Sequence, residues 1–250
     1  MNQDWNQNQN WNQNQDWNQN PYIVNPGYQQ DKQNLISQVA SKSFLIVFLG
    51  LIVTTISAYL TVNSVTLLES LCTNRTWTIV CIVELAVVWI SSFAIKKKAL
   101  GLAAGLFALY TILNGITLSV IFLIFDIGTV QEAFFMTTLM FGALTAYGYF
   151  TKRDLTKVGA ICGMALFGAI IVSLLNLFFF HSTGMDLLMD YLVVAIFVGL
   201  TAYDMWRMKQ QVMVTGPEEA NRIALFTGIQ LYLDFINLFI RLVSILGRKK

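Results

Sequence analysis

An aspartate, Asp234, stands in the middle of the apolar run GIQLYLDFINLFIRLV, and a second, Asp204, stands near the end of another, FVGLTAYDMWRMK. A third acid, Glu84, interrupts CIVELAVVW, and amides interrupt TILNG at Asn114 and SLLNL at Asn176. Paired carboxylates in apolar surroundings suit three kinds of chemistry: holding a shared proton, offering oxygen ligands to a hard cation, or serving as the two acids of an aspartyl protease. Outward from Asp234, steps of three and four residues place Thr227, Gln230, Asn237 and Arg241 on one helical face. Blander readings stand beside these. Asn114 and Asn176 suit hydrogen bonds between helices, Glu84 fits a structural or a functional part equally, Asp204 is one turn from Arg207 and could ion-pair with it, and Asp234 could simply be held by Asn237 and its neighbours.

The elements that carry these groups follow from composition. Of 250 residues, 56% are hydrophobic and 12% charged, and the mean hydropathy is +0.58; soluble domains carry about twice that charged share. Seven apolar segments lie at roughly 43–60, 77–95, 100–124, 133–150, 158–180, 187–206 and 223–246. Each is near the 20 or so residues that a helix needs to cross a bilayer. Because the hydrocarbon core supplies no water to backbone polar groups, helices are the spanning form, and a β-barrel would show alternating short strands instead. The expectation is an all-α membrane protein, a seven-helix bundle, with six spans plus a re-entrant seventh segment as the variant. A charged group in the bilayer core costs on the order of 3 kcal/mol by insertion scales, so the stripe around Asp234 must face other helices or water.

Orientation follows from basic loop residues, which stay cytoplasmic. Lys32 and Lys42 precede segment one, Lys96, Lys97 and Lys98 join segments two and three, Lys152, Arg153 and Lys157 join four and five, and Arg207, Lys209 and Arg222 join six and seven. The other loops hold Arg75 with the acids Glu69, Asp126, Glu132, Asp186 and Asp190. A cytoplasmic N-terminus is expected. Spanning by segment seven would put Arg248, Lys249 and Lys250 outside, against this rule, whereas a re-entrant path would keep them inside. Residues 1–34 read as a disordered tail with a DWNQNQ-type hexamer repeat that places Trp5, Trp11 and Trp17 six apart, followed by a membrane domain over 35–250. The tail lacks the pattern of a cleavable signal peptide.

Several functions are disfavoured. Cys72, Cys81 and Cys162 have no metal or disulfide spacing, and His181 is the single histidine, expected at a solvated surface. No phosphate-binding glycine loop is present and the bases are spread over loops, which indicates neither a nucleotide cofactor nor a nucleic-acid partner. The partner expected from composition is the bilayer.

FGALTAYGYFTKRDLTKVG, FVGLTAYD and LYLDFINLFIRLV resemble, in order and spacing, the signature segments of the Bax inhibitor-1 family, in its bacterial inner-membrane branch. LCTNRTW and LNGITLSVIFLIF also look like that branch, so the resemblance covers roughly residues 35–247. It implies a bundle whose central seventh helix is wrapped by six others, and a pH-dependent calcium leak without enzymatic activity. It also implies a functional pair at Asp204 and Asp234, with Glu84 matching an acid of the second helix. The basic residue of the family's best-studied leak member near the inner end of that helix is here Ile95, followed by Lys96. Two carboxylates within about 4–6 Å tend to hold one proton between them; losing it loosens the tie and leaves oxygens that could bind Ca²⁺ in passing, while outer acids, Asp126, Glu132, Asp186 and Asp190, concentrate cations at the mouth. The alternatives are a non-transporting scaffold or regulator of partner membrane proteins, and an intramembrane protease, whose usual G-x-G-D context LYLD lacks. Depth counting from the loop between segments six and seven sets Asp204 and Asp234 at different levels, about 5 Å from Arg207 against about 16 Å inside Ile223.

Overall fold

The computed structural model describes residues 26–64, 80, 83–84, 86–87, 90–91, 93–95, 97 and 99–248. In chain order the helices are α1 (Pro26–Val62), α2 (Leu100–Leu118), the single turn α3 (Ile121–Ile124), α4 (Ile127–Phe150), α5 (Thr156–Leu175), α6 (Thr183–Val214) and α7 (Ala220–Gly247). A π-helical turn, Asn176–Phe180, closes α5, and a 3-10 turn, Pro217–Glu219, leads into α7. The described residues between 80 and 95, in the second apolar segment, are helical as well. No strand occurs among the described residues, and six helices are long and apolar enough to cross a membrane. The chain is an all-helical, multi-pass membrane protein.

Three boundaries differ from those read in the sequence. Residues 26–34 belong to α1 rather than to a disordered tail; there the Lys32 ammonium donates to the Thr215 carbonyl at 2.8 Å, at the end of α6. The remainder of the tail, with its Trp repeat, lies outside the described residues. Segment three is broken after Leu118, and α3 is a separate turn. Segment six runs on through the polar stretch after Trp206 to Val214, because its polar residues find partners. The Lys209 ammonium donates to the carbonyls of Tyr149 and Thr151 at 2.8 and 2.7 Å, satisfying the unpaired C-terminal carbonyls of α4 where a positive charge also suits the helix dipole. Starts are capped in the complementary sense: Asp126 accepts from the Thr129 N–H ahead of α4, and Ser182 from the Met185 N–H ahead of α6.

The core gathers around α7. It packs against α1, α2, α4 and α6, whereas α5 lies outermost against α6. Leu231, Tyr232, Leu238 and Val243 are fully buried along α7, on more than one side of the helix. On α5 only Gly159 and Ala169 are buried, and Ile161, Met164, Phe167 and Ile170 form an outward apolar face for lipid. The central helix is therefore the most buried of the six candidate spans, with one half-buried line at Phe226, Gln230, Leu233, Asn237 and Arg241. Lipid tails are as apolar as leucine, so helix association rests on close packing and interhelical polar bonds. Both are visible. Gly228 of α7 lies on Ile46 and the Ser43 carbonyl of α1, beside the hydrogen bond from the Ser43 hydroxyl to the Ala224 carbonyl at 3.1 Å. Gly148 of α4 sits against the backbone carbonyl of Ala202 in α6, leaving no room for a Cβ. Edge-on ring pairs, Phe141–Phe235 at 5.5 Å and Phe107–Tyr232 at 5.2 Å, fix α7 against α4 and α2; each such pair contributes about 0.5–1.5 kcal/mol beyond its buried area.

The helix α7 is continuous from Ala220 to Gly247, and its C-terminal end returns to the first turn of α6, where the Arg248 guanidinium donates to the Thr183 carbonyl at 3.3 Å. It thus runs the length of α6 rather than turning back part way.

Candidate functional site

The two aspartates sit on adjacent antiparallel helices, Asp204 on α6 and Asp234 on α7, and both are buried. They are close enough for the charge on Asp204 to act on Asp234. The depth conflict shrinks once the true helix ends are used. Asp204 is ten residues from the Val214 end of α6 and Asp234 fourteen from the Ala220 start of α7, which at 1.5 Å per residue is about 15 and about 21 Å, a difference of about one helical turn.

The surroundings of the pair are sparse in donors. Asp234 Oδ2 has no hydrogen-bond partner among the described residues. Thr201, on the same face of α6 one turn before Asp204, stands beside the Asp234 carboxyl. Its hydroxyl also donates to the Phe197 carbonyl at 2.7 Å. A hydroxyl has one proton to give and two lone pairs to accept with. Thr201 therefore gives its one proton either to Phe197 or to Asp234, and not to both at once. Arg207 does not close an ion pair of contact length with Asp204; its guanidinium lies over the Phe226 ring, 5.4 Å from the centroid, and acts on Asp204 from a distance. Nor does Asn237 hold Asp234: its amide donates to the Leu233 carbonyl at 2.8 Å, within its own helix.

Thr227 of the stripe around Asp234 is buried, while Gln230, Asn237 and Arg241 are half-buried. Arg241 belongs to a different group of residues. Its guanidinium donates to Asp190 Oδ1 at 2.8 Å, Ser244 donates to Oδ2 of the same carboxylate at 2.7 Å, and Arg248 lies 3.3 Å from Oδ2. Asp190 is 2% exposed. It is thus no outer acid at a solvent-facing mouth but a buried residue of α6; Asp126, Glu132 and Asp186 do remain exposed at that end. The sequence held a signal for this cluster. The stripe continues from Arg241 to Ser244 and Arg248, and Asp190, Val193, Phe197, Thr201 and Asp204 form the matching face of α6 at the same spacing.

Glu84 does not join the aspartates. It accepts from the Thr117 hydroxyl at 2.9 Å, in a polar cluster on the far side of α7 in which the Tyr232 hydroxyl bonds Asn114 Oδ1 at 3.2 Å and Thr54 Oγ1 at 2.6 Å. Tyr232 and Asp234, two residues apart, point to opposite sides of the helix. Tyr232→Phe is expected to lower stability by about 1–2 kcal/mol, the effect of leaving buried partners unsatisfied, measured as thermal unfolding in detergent, and to leave any chemistry at the aspartates unchanged. Asn176 is buried at the turn between α5 and α6, where it bonds the Ser182 backbone at 3.0 and 3.2 Å and the Asp186 carboxylate at 2.6 Å. It secures a turn rather than joining helices in mid-span. Ile95 is buried in the main core, and Lys96 lies outside the described residues.

No group of three or more Asp, Glu, His or Cys side chains that could hold a metal ion occurs among the described residues. A resident Ca²⁺ takes six to eight oxygen ligands, more than Asp204, Asp234 and Thr201 supply. What the arrangement suits is a proton, or a cation met in passing.

Residues 36–250 match the protein-family model described as inhibitor of apoptosis-promoting Bax1. The chain is 38% identical over 205 residues to the inner membrane protein YbhL of Escherichia coli K12, covering 80% of this chain and 87% of that one. It is 36% identical over 226 residues to a protein of Borreliella burgdorferi, covering 88% and 97%, and 37% identical over 167 residues to a membrane protein of Streptococcus pyogenes serotype M1, covering 67% and 72%.

Proposed function

We propose, from the premise that this chain belongs to the Bax inhibitor-1 family of multi-pass membrane proteins, that it is a proton-sensitive calcium leak whose gate is the pair Asp204 and Asp234. The observation that carries this reading is the pair itself: two buried carboxyls on neighbouring helices, one acting on the other, with an oxygen left unpartnered. Two carboxylates this near each other in a low-dielectric interior do not both ionise cheaply. With one proton held, the two helices stay together. As pH rises and that proton leaves, repulsion loosens α6 from α7 and the freed oxygens face a path that a hard cation can use. Peptide hydrolysis is not proposed, since LYLD gives Asp234 no protease context.

Calcium flux into proteoliposomes, measured against pH, tests this. Flux that rises from acid to neutral pH supports the leak; no flux at any pH would leave the non-transporting scaffold as the better account. We propose further that the protein resides in the bacterial inner membrane with its N-terminus in the cytoplasm, on the charge balance of the loops. Cysteines introduced near Lys97 are expected to resist a membrane-impermeant reagent applied outside, and one beside Asp186 to react. Strong external labelling near Lys97 would reverse the orientation.

A further inference from the structure

Away from the aspartate pair, the most heavily bonded polar group between α6 and α7 is Asp190. Its buried carboxylate takes Arg241 at 2.8 Å, Ser244 at 2.7 Å and Arg248 at 3.3 Å. We propose that Asp190 is a positioning residue: with Arg241, Ser244 and Arg248 it sets the register of α7 against α6, and so decides how far Asp234 stands from Asp204. The inference rests on the reading of that pair as the gate only for its functional consequence; the register itself is a matter of packing.

The apolar seam between the two helices does not fix register alone. Around Leu238 the facing side chains of α6 are Val193, Ile196 and Phe197, aliphatic and aromatic groups repeating at helical spacing. Ridges of that kind interlock again after a slide of about one turn, 5.4 Å. Such one-turn shifts are a known mode of helix rearrangement. A slide of that size is also the difference in depth that separates Asp204 from Asp234, so register is the variable to which their distance is most sensitive. A carboxylate held at once by Arg241, Ser244 and Arg248 meets that full set of partners at one position only along α7. Only the carboxylate of this group is buried, the two guanidiniums being a little over a third exposed, and its part here is to set register rather than to add net stability. Asp190 lies fourteen residues from Asp204 on the same face of α6, about 21 Å along the axis, which puts the lock at one end and the pair nearer the other.

The test uses the full chain with Cys72, Cys81 and Cys162 replaced by alanine and new cysteines at Phe197 and Leu238, members of one buried cluster. Oxidative cross-linking in proteoliposomes reads the register directly. Asp190→Asn and Arg241→Gln are each expected to lower the cross-link yield about threefold or more, since the first removes the charge that both arginines meet and the second leaves the buried Asp190 with only Ser244 and the longer contact to Arg248, while Asp190→Glu keeps most of it. Arg248→Gln, which leaves Arg241 in place, should have a smaller effect in the same direction. Parent-like yields in both Asp190→Asn and Arg241→Gln would overturn the proposal. If Asp190→Asn fails to accumulate, the two arginine variants decide by the same readout. The cross-link needs no flux: a protein that leaks nothing but loses its cross-link in these variants refutes the gate and keeps the register lock, and a pH-sensitive leak with unaltered cross-links does the reverse.

Discussion

Asparagine at either Asp204 or Asp234 is expected to flatten the dependence of calcium flux on pH between about 5 and 8, the range into which a coupled buried carboxyl can be moved. The reason is the loss of one of two like charges. An amide in place of one carboxyl still offers hydrogen bonds across the α6–α7 seam, so the helices keep a neutral tie, but the remaining acid no longer has a neighbour whose ionisation opposes its own. The direction of the pH response in the unmodified protein follows from the same term: proton held and path closed at low pH, proton lost and path open as pH rises. Each variant is expected to show a profile whose acid-to-neutral change is a small fraction of the parent's, while the absolute flux reflects the balance between a retained tie and a lost ligand charge. Asp186→Asn serves as the control, because Asp186 is exposed at the far end of α6 and bonded to Asn176; its flux should change modestly and its pH response persist. Parent-like pH profiles in both pair variants would make the aspartates structural and put the gate elsewhere.

A comparable effect on the fold itself is expected from Gly148→Leu. A Cβ at this position would lie against the Ala202 carbonyl oxygen and within 3.1 Å of the Met205 Cβ. Backbone cannot turn aside as a flexible side chain does, so α4 and α6 must move apart along a seam held by close packing and, next to this position, by Lys209 on the Tyr149 and Thr151 carbonyls. Overpacking in a tight core costs about 1–3 kcal/mol and more when backbone must shift, and a leucine here belongs at the upper end, enough to lower the midpoint of thermal unfolding sharply or prevent accumulation. Gly148→Ala should act in the same direction by less. Gly142, also on α4, has nothing within 4 Å of the corresponding position, so Gly142→Ala is expected to be neutral or to stabilise through helix propensity by up to about 1 kcal/mol. An unfolding midpoint for Gly148→Leu equal to that of Gly142→Ala would mean that the α4–α6 approach is looser than described.

Much of this arrangement could be read in the chain. Hydrophobic runs of spanning length named the helices, and the three- and four-residue steps around Asp234 picked out a face of α7 on which Thr227 and Asp234 are buried and Gln230, Asn237 and Arg241 half-buried. Other features were hidden for identifiable reasons. The stretch MKQQVMV after Trp206 looks like a loop because its polar residues suit water; it is helix because Lys209 finds the carbonyls of α4 and Lys32 those at the end of α6. Asp190 looked like one more acid near an outer loop, since burial depends on two arginines that lie 51 and 58 positions further along the chain. Its presence also gives Arg248, one of the three cations that the charge rule would keep inside, a carboxylate at the end that α7 reaches. Glu84 was associated with the aspartates through the family resemblance, and only the packing of Tyr232, Asn114 and Thr117 places it on the opposite side of α7.

The central place of α7 carries a consequence for biosynthesis. The elements it packs against, α1, α2, α4 and α6, all precede it in the chain, so each of them reaches the bilayer ahead of the helix that fills the space between them. Until then the face of α6 bearing Asp190, Thr201 and Asp204 has no α7 to cover it, and its acids must be hydrated or protonated, or shielded by the insertion machinery. Closure of the bundle is therefore a late, single event in assembly, because the slot between the other helices stays empty until α7 follows α6 out of the ribosome.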